Sequence, residues 1–247
     1  MESSSLEKVV THEFLDAVCH FWFSHINDSD HIIVPDIDDA MPWFSQSDAY
    51  DNSCINNFGA QLQYIKSAGA SGTDIVSATK PETPLHWMSL IILLDQLPRN
   101  CFRGDHAGIA YNIFDGLALD VALQAIKLGI PQHPQVRFRH AYRFWFYLPL
   151  EHSESLKMQE VVREEHVKMF QDSRMLMDDE SDSKDSDLAN CQTVLRMRKV
   201  QLEEFKDKIH GICDGHEETL RRFGRYPHRN NALGRVSTAD ELAYLQK

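Results

Sequence analysis

Apolar residues recur at steps of three and four along most of the chain, the period of a helix with one buried face. Thr11 to Phe23 is the first such stretch, with Val10, Phe14, Val18, Phe21 and Trp22 in phase. Ser24 to Pro42 is polar and rich in Asp, which predicts a loop. A second helix is expected after Ser47 or Asp48 as N-cap, with Cys54, Ile55, Phe58, Leu62 and Ile65 inside and Gly69 as its stop. Ser71 to Pro81 is small and polar and predicts another loop. Thr83-Pro84 opens a third helix, and LHWMSLIILLDQLP is apolar nearly all round, so this helix belongs in the middle of the fold. Ala107 to Leu128 predicts a fourth, facing inward through Ile109, Ile113, Leu117, Val121 and Ile126 and ending at Gly129.

The second half continues in the same period. An aromatic segment, Phe144 to Leu148, runs into Pro149, and Ser153 is expected to start a helix reaching about Phe170. Met175 to Asp187 is acidic, rich in Ser and without periodic apolar residues after Met177, the composition of a disordered insertion. A long helix is predicted from about Leu188 to Phe223, with Val194, Met197, Phe205, Ile209, Ile212, His216, Leu220 and Phe223 inward. After a Gly-Arg-Tyr-Pro turn, Thr238 and Glu241 form a capping box for a last short helix. Period-two alternation never persists, so the expected fold is all-α, one domain over residues 1–247, built from antiparallel helix pairs.

Charge narrows the functional classes. The net charge of −12 argues against nucleic-acid binding, which needs a basic face. No secretory signal is visible, and no apolar run reaches the roughly 20 residues that span a bilayer. Five scattered cysteines without a CxxC pair suit a reducing, cytoplasmic setting. Dinucleotide, P-loop, nucleophile-elbow and HExxH motifs are missing, so no cofactor is expected.

Three segments carry polar residues where burial is expected. The first, LLDQLPRNCFRG, places Asp95 at an apolar helix end and follows it with Arg99, Asn100 and Arg103. The second, FWFYLPLEHSESLKMQE, sets Glu151, His152, Ser153 and Glu154 after Pro149; an imidazole beside carboxylates can be tuned for proton transfer. The third, His216 to Leu242, holds five arginines and two histidines among core-type residues. Guanidinium forks suit carboxylate or phosphate ligands, and enclosing them demands an anionic partner. A metal held by His152, Glu154, His216 and His228 is disfavoured by the neighbouring arginines, so no metal is expected.

Taken together, ILLDQLPRNCFRG, FYLPLEHSE with Gln159, and HEETLRRFGRYPHRNNALGRVSTADE resemble the DUF924 family, as do the earlier Phe21–Phe23 and Trp43-Phe44 elements. Leu97, Glu151 and Tyr226 depart from the family pattern. The resemblance implies a tetratricopeptide-like array of antiparallel helices and brings no activity with it. Its motif residues are Asp95, Arg99, Asn100 and Arg103, then His152, Ser153, Glu154 and Gln159. The third segment adds His216, Arg222, Gly224, Arg225, Pro227, His228, Arg229, Asn230, Gly234 and Arg235.

Two readings follow. In one, the segments enclose a pocket for an anionic or oxygen-rich small molecule. Its ligand contacts would come from Arg99, Asn100, Arg103, His216, Arg222, Arg225, Arg229 and Asn230, and its proton transfer from His152, Glu154 and His228. In the other, the chain is a scaffold for a protein partner and the charges form an internal salt-bridge lattice.

Overall fold

Thr83 caps the helix Pro84–Asp95, its hydroxyl accepting from His86 N at 3.1 Å, and eleven of the twelve residues are buried. The structure, a computed structural model, describes residues 3–181 and 184–246, and the elements in those residues are helices and turns. Burial on all sides follows from a helix with no polar face until its last residue, and the other helices pack around it. His12–Phe23, Asp48–Ala68 and Asp115–Lys127 cover it, and the Leu148–His152 helix lies across it. We call Pro84–Asp95 the central helix.

Caps act where the sequence places them. Thr11 accepts from Phe14 N, Ser47 accepts from Tyr50 N, and Gly69 ends the Asp48–Ala68 helix at φ 61°. Thr238 and Glu241 close a reciprocal box at the head of Ala239–Leu245. Both predicted loops contain helix. Ser29–Ile33 folds within Ser24 to Pro42 and Ile37–Phe44 runs out of its end, capped by Asp28 and Asp36, and Gly72–Thr79 folds after Ser71 with a capping box to Asp74. Asp and Ser there serve as caps, the same composition that a loop would have.

Three helices differ from expectation in phase or extent. Residues Ala110–Phe114 form a π turn inside the fourth helix. The extra residue in that turn puts Phe114 and Ala118 inside and leaves Ile113 outside, while Val121 is buried as expected, with Ala122 and Ala125 beside it. The continuous stretch Gly104–Lys127 is long and apolar enough, by length and composition, to cross a membrane, contrary to the expectation that no segment is. Here its buried face packs on the central helix, and its Asp115 is engaged by arginines. The predicted Leu188–Phe223 helix is two, Ser186–Met197 and Lys199–Phe223. Arg198 leaves the helix to donate to Val34 O at 3.0 Å and Asp36 Oδ1 at 2.7 Å, and Met197 turns outward, 66% exposed.

The helix expected from Ser153 starts at Leu156 and runs to Asp178, and Asp185 caps the next one. The acidic insertion is therefore helical at both its ends, with Leu176 buried; Asp182 and Ser183 lie outside the described residues.

A polar knot lies inside this core. Arg143 is fully enclosed, donating from Nε to Tyr147 Oη (3.0 Å) and from Nη1 to Asp172 Oδ2 (2.7 Å) and Arg137 O (3.0 Å). Arg137 holds the other Asp172 oxygen at 2.5 Å. Beside them His140 pairs with Ser173 Oγ at 2.8 Å and stacks on Phe170. Burial pushes His140 down to about 3, and burial likewise pushes His166 down to about 4, so both are neutral inside the fold.

Removing the carboxylate in Asp172→Ala strands an enclosed guanidinium and is expected to cost about 3–5 kcal/mol in urea unfolding. The two histidines set the acid response. Their folded values lie below the unfolded 6.5, so the unfolded chain binds more protons below that pH. Stability is complete above about pH 6.5 and falls toward pH 4, by about 1.4 kcal/mol per pH unit for each. Urea unfolding at pH 7 and pH 5 measures this, and equal stabilities would refute the neutral assignment.

Candidate functional site

A carboxylate at the C-terminal end of a buried helix suffers both desolvation and the helix dipole. Asp95 is in that position, 1% exposed. His152 Nδ1 donates to its Oδ1 at 2.8 Å and Gln96 Nε2 to its Oδ2 at 2.5 Å. Arg99 lies 3.8 Å from Oδ1 and donates from Nη1 to the Asp95 carbonyl at 2.6 Å. Burial alone would raise Asp95, but the charges of His152 and Arg99 outweigh it and hold the group down to about 2. Burial, aided by Arg99, pushes His152 below the ordinary histidine value. An ionised Asp95 can only accept, so the neutral ring carries its proton on Nδ1 and leaves Nε2 as a base.

The charge chain continues outward. Arg99 Nη1 also donates to Asp115 Oδ1 at 2.8 Å, and Arg229 Nη1 lies 3.1 Å from Asp115 Oδ2. Arg229 is buried between the rings of Tyr111 and Tyr226, at 4.8 and 4.7 Å from their centroids. Its placement depends on the turn after Lys199–Phe223: Gly224 ends that helix at φ 68°, and Pro227–Arg229 makes one 3-10 turn. Gly108 lets this segment approach, since a Cβ there would fall 2.3 Å from the Ala232 carbonyl oxygen.

Glu154 ties the same segment from the other side. It accepts from Tyr226 N at 2.9 Å and from Arg235 Nη1 at 2.9 and 2.8 Å. Tyr226 Oη donates to Glu151 O at 2.6 Å, and Gln159 Nε2 reaches the carbonyls of Leu150, Glu151 and Ser153. Gln159 thereby satisfies the end of the Leu148–His152 helix, and Ser153 follows as its C-cap in extended conformation, not as the N-cap expected.

These elements enclose a cleft of about 200 Å³. Tyr111, Asn112, Asp115, Gly116 and Leu119 form one wall, and His152, Ser153 and Glu154 another. Arg229, Leu233 and Arg235 close it. The Nε2 of His152 makes no hydrogen bond among the described residues and is accessible, on a residue that lines the cleft.

Of the residues expected to act, His152, Glu154 and Arg229 line the cleft, with Arg99 behind them through Asp115. The rest are held elsewhere, each by its own partner. Asn100 and Arg103 turn to Asp51, at 2.7 Å for Asn100 and 2.9 and 3.0 Å for Arg103. Arg225 pairs with Glu241 at 2.7 Å, and Asn230 donates to Ser237 Oγ at 3.0 Å. Arg222 is exposed, its guanidinium over Phe223. His216 faces Glu151. His228 stacks on Tyr226 at the surface, and partial burial with the Arg229 charge pushes it down to about 4. Tyr111, Asn112 and Asp115 were not singled out in the sequence; an acid within the apolar Ala107–Leu128 period was the available signal.

An all-helical protein with an Asp–His pair opening on a polar cleft is the class that fold and site define. The chain belongs to the DUF924 family, described as bacterial protein of unknown function, whose profile matches residues 18–247. Among solved structures it is similar to the protein of unknown function ATU0120 from Agrobacterium tumefaciens. That match has 24% identity and a TM-score of 0.55, over 95% of this chain and 97% of that one. A comparison with curated proteins finds no match.

Asp95→Asn removes the charge that favours the imidazolium of His152. Its pKa is expected to drop by a further unit or more, read from the pH dependence of the ring Cε1–H signal in NMR. An unchanged or raised value would mean that the two groups are not paired.

Proposed function

We propose that this protein binds a small oxygen-rich or singly anionic molecule in the cleft and carries out proton transfer on it. The observation that carries the reading is His152, which lines the cleft with one nitrogen fixed by a buried carboxylate and the other accessible. A neutral imidazole so oriented is a general base near neutral pH, and the protonated ring then returns the proton as an acid. Ser153, Arg229 and Arg235 supply hydrogen-bond donors around it. Arg99, Arg229 and Arg235 are met by Asp95, Asp115 and Glu154, which supports a ligand of low charge over a polyanion. Five free thiols support a reducing, cytoplasmic setting.

A second reading has its own support. Arg99, Arg103, Arg225 and Arg235 each meet a carboxylate within 3 Å, as an internal lattice requires. In that reading the helices serve a tetratricopeptide-like scaffold. Packing around one enclosed helix favours a pocket over a long open groove, since stacked repeats contact chiefly their neighbours.

A metabolite screen by thermal shift separates the two, because a ligand at 100 times its Kd stabilises by about 2.7 kcal/mol. Arg229→Met leaves Asp115 paired with Arg99, so the variant is expected to fold and to lose the ligand-induced shift. No shift in the wild type from any oxygen-rich metabolite, or unfolding of the variant, would favour the lattice.

A further inference from the structure

One residue before His152, Glu151 points to a different side, into a space between three helices. It is 1% exposed, and it stands beside His166 from Leu156–Asp178 and Cys213 from Lys199–Phe223, both buried. Cys213 Sγ lies 3.3 Å from Glu151 Oε1 and 3.3 Å from His166 Nδ1. His166 Nε2 is 3.7 Å from the same carboxylate oxygen. His216 Nδ1, on the more open side, is 3.3 Å from Glu151 Oε2. The donor atoms of Glu151, His166 and Cys213 all fall within 4.8 Å of one another.

Protein contacts leave this group unsatisfied. Glu151 Oε2, His166 Nε2 and His216 Nδ1 are enclosed and have no hydrogen-bond partner. No lysine or arginine is within ion-pair distance of Glu151 among the described residues. An enclosed anion with no strong cation and three orphaned polar atoms lacks a positive centre.

Tetrahedral zinc bonds of about 2.3 Å to sulfur and 2.0–2.2 Å to nitrogen or oxygen place neighbouring donors about 3.2–3.6 Å apart. Glu151, His166 and Cys213 have the spacing of three such donors, and His216, on the more open side beside Glu151 Oε2, would close in as the fourth. We infer that Glu151, His166, Cys213 and His216 form a binding site for a zinc-class divalent ion. A thiolate and a carboxylate balance the two positive charges, and two neutral imidazoles complete the shell. Thiolate and imidazole favour zinc-like ions over magnesium or calcium. On binding, the Cys213 S–H bond breaks, its proton leaves to solvent and a metal–sulfur bond forms; no electron is transferred. The ion would fasten three helices behind the cleft. The sequence disfavours a metal at His152, Glu154, His216 and His228; only His216 is common to both sets.

Cobalt(II), a spectroscopic stand-in for zinc, tests this on the full chain after treatment with EDTA. One equivalent is expected to bind and to produce a near-ultraviolet thiolate-to-cobalt absorption together with tetrahedral visible bands. Zinc is expected to displace it and to raise the melting temperature. Cys213→Ser, nearly isosteric, is expected to lose the near-ultraviolet band and at least tenfold in zinc affinity. His216→Gln, at a partly exposed position, is expected to lose at least tenfold as well, and carries the test if the serine variant fails to fold. Absence of stoichiometric cobalt binding, a band that survives Cys213→Ser, or unchanged zinc affinity in His216→Gln would each overturn the assignment. The first result would mean that water satisfies the orphaned atoms.

Discussion

The carboxylate of Asp95 stands where a helix least tolerates one, at the negative end of its dipole and away from water. Its answer is a fixed series of opposite charges. His152 and Gln96 hold the two oxygens, Arg99 bridges to Asp115, and Asp115 reaches Arg229 at the cleft. Asp95, Asp115 and Arg229 are buried and His152 and Arg99 partly so, and the series connects the middle of the core to the surface. Buried charge of this kind specifies geometry more than it stabilises. It sets the tautomer of His152, and with it the direction in which a base can face.

Most of the helices were legible because their signals are local. Thr11, Ser47, Thr83 and Thr238 cap where they should, and the apolar run after Pro84 foretold enclosure on every side. The misreadings have physical causes that neighbouring residues do not encode. The π turn at Ala110–Phe114 puts Phe114 inside in place of Ile113, and Arg198 exchanges helix for a bond to a distant loop. Short helices at 29–33, 37–44 and 72–79 look like loops because their caps are loop residues.

The site was less legible, for a related reason. A run of arginines announces that anions are near but not which ones. Asp51, Asp115, Glu154 and Glu241 take Arg99, Arg103, Arg225, Arg229 and Arg235, Glu217 takes Arg221, and only folding decides the allocation. His152 could be picked out because Glu151 and Glu154 flank it, yet its partner is Asp95, 57 positions away. Glu151 faces a different side from its neighbour, because adjacent positions on a helix are turned by about 100°.

The tight passage between Gly108 and Ala232 bears on how the protein is made. The segment carrying Arg229 and Arg235 leaves the ribosome after every other wall of the cleft. Until it does, a nascent chain holds Asp115 with one arginine in place of two and Glu154 without Arg235. His152 and Asp95 can already meet by then. Docking of this segment is thus the event that gives the polar surface its third wall, and it follows synthesis of the other two.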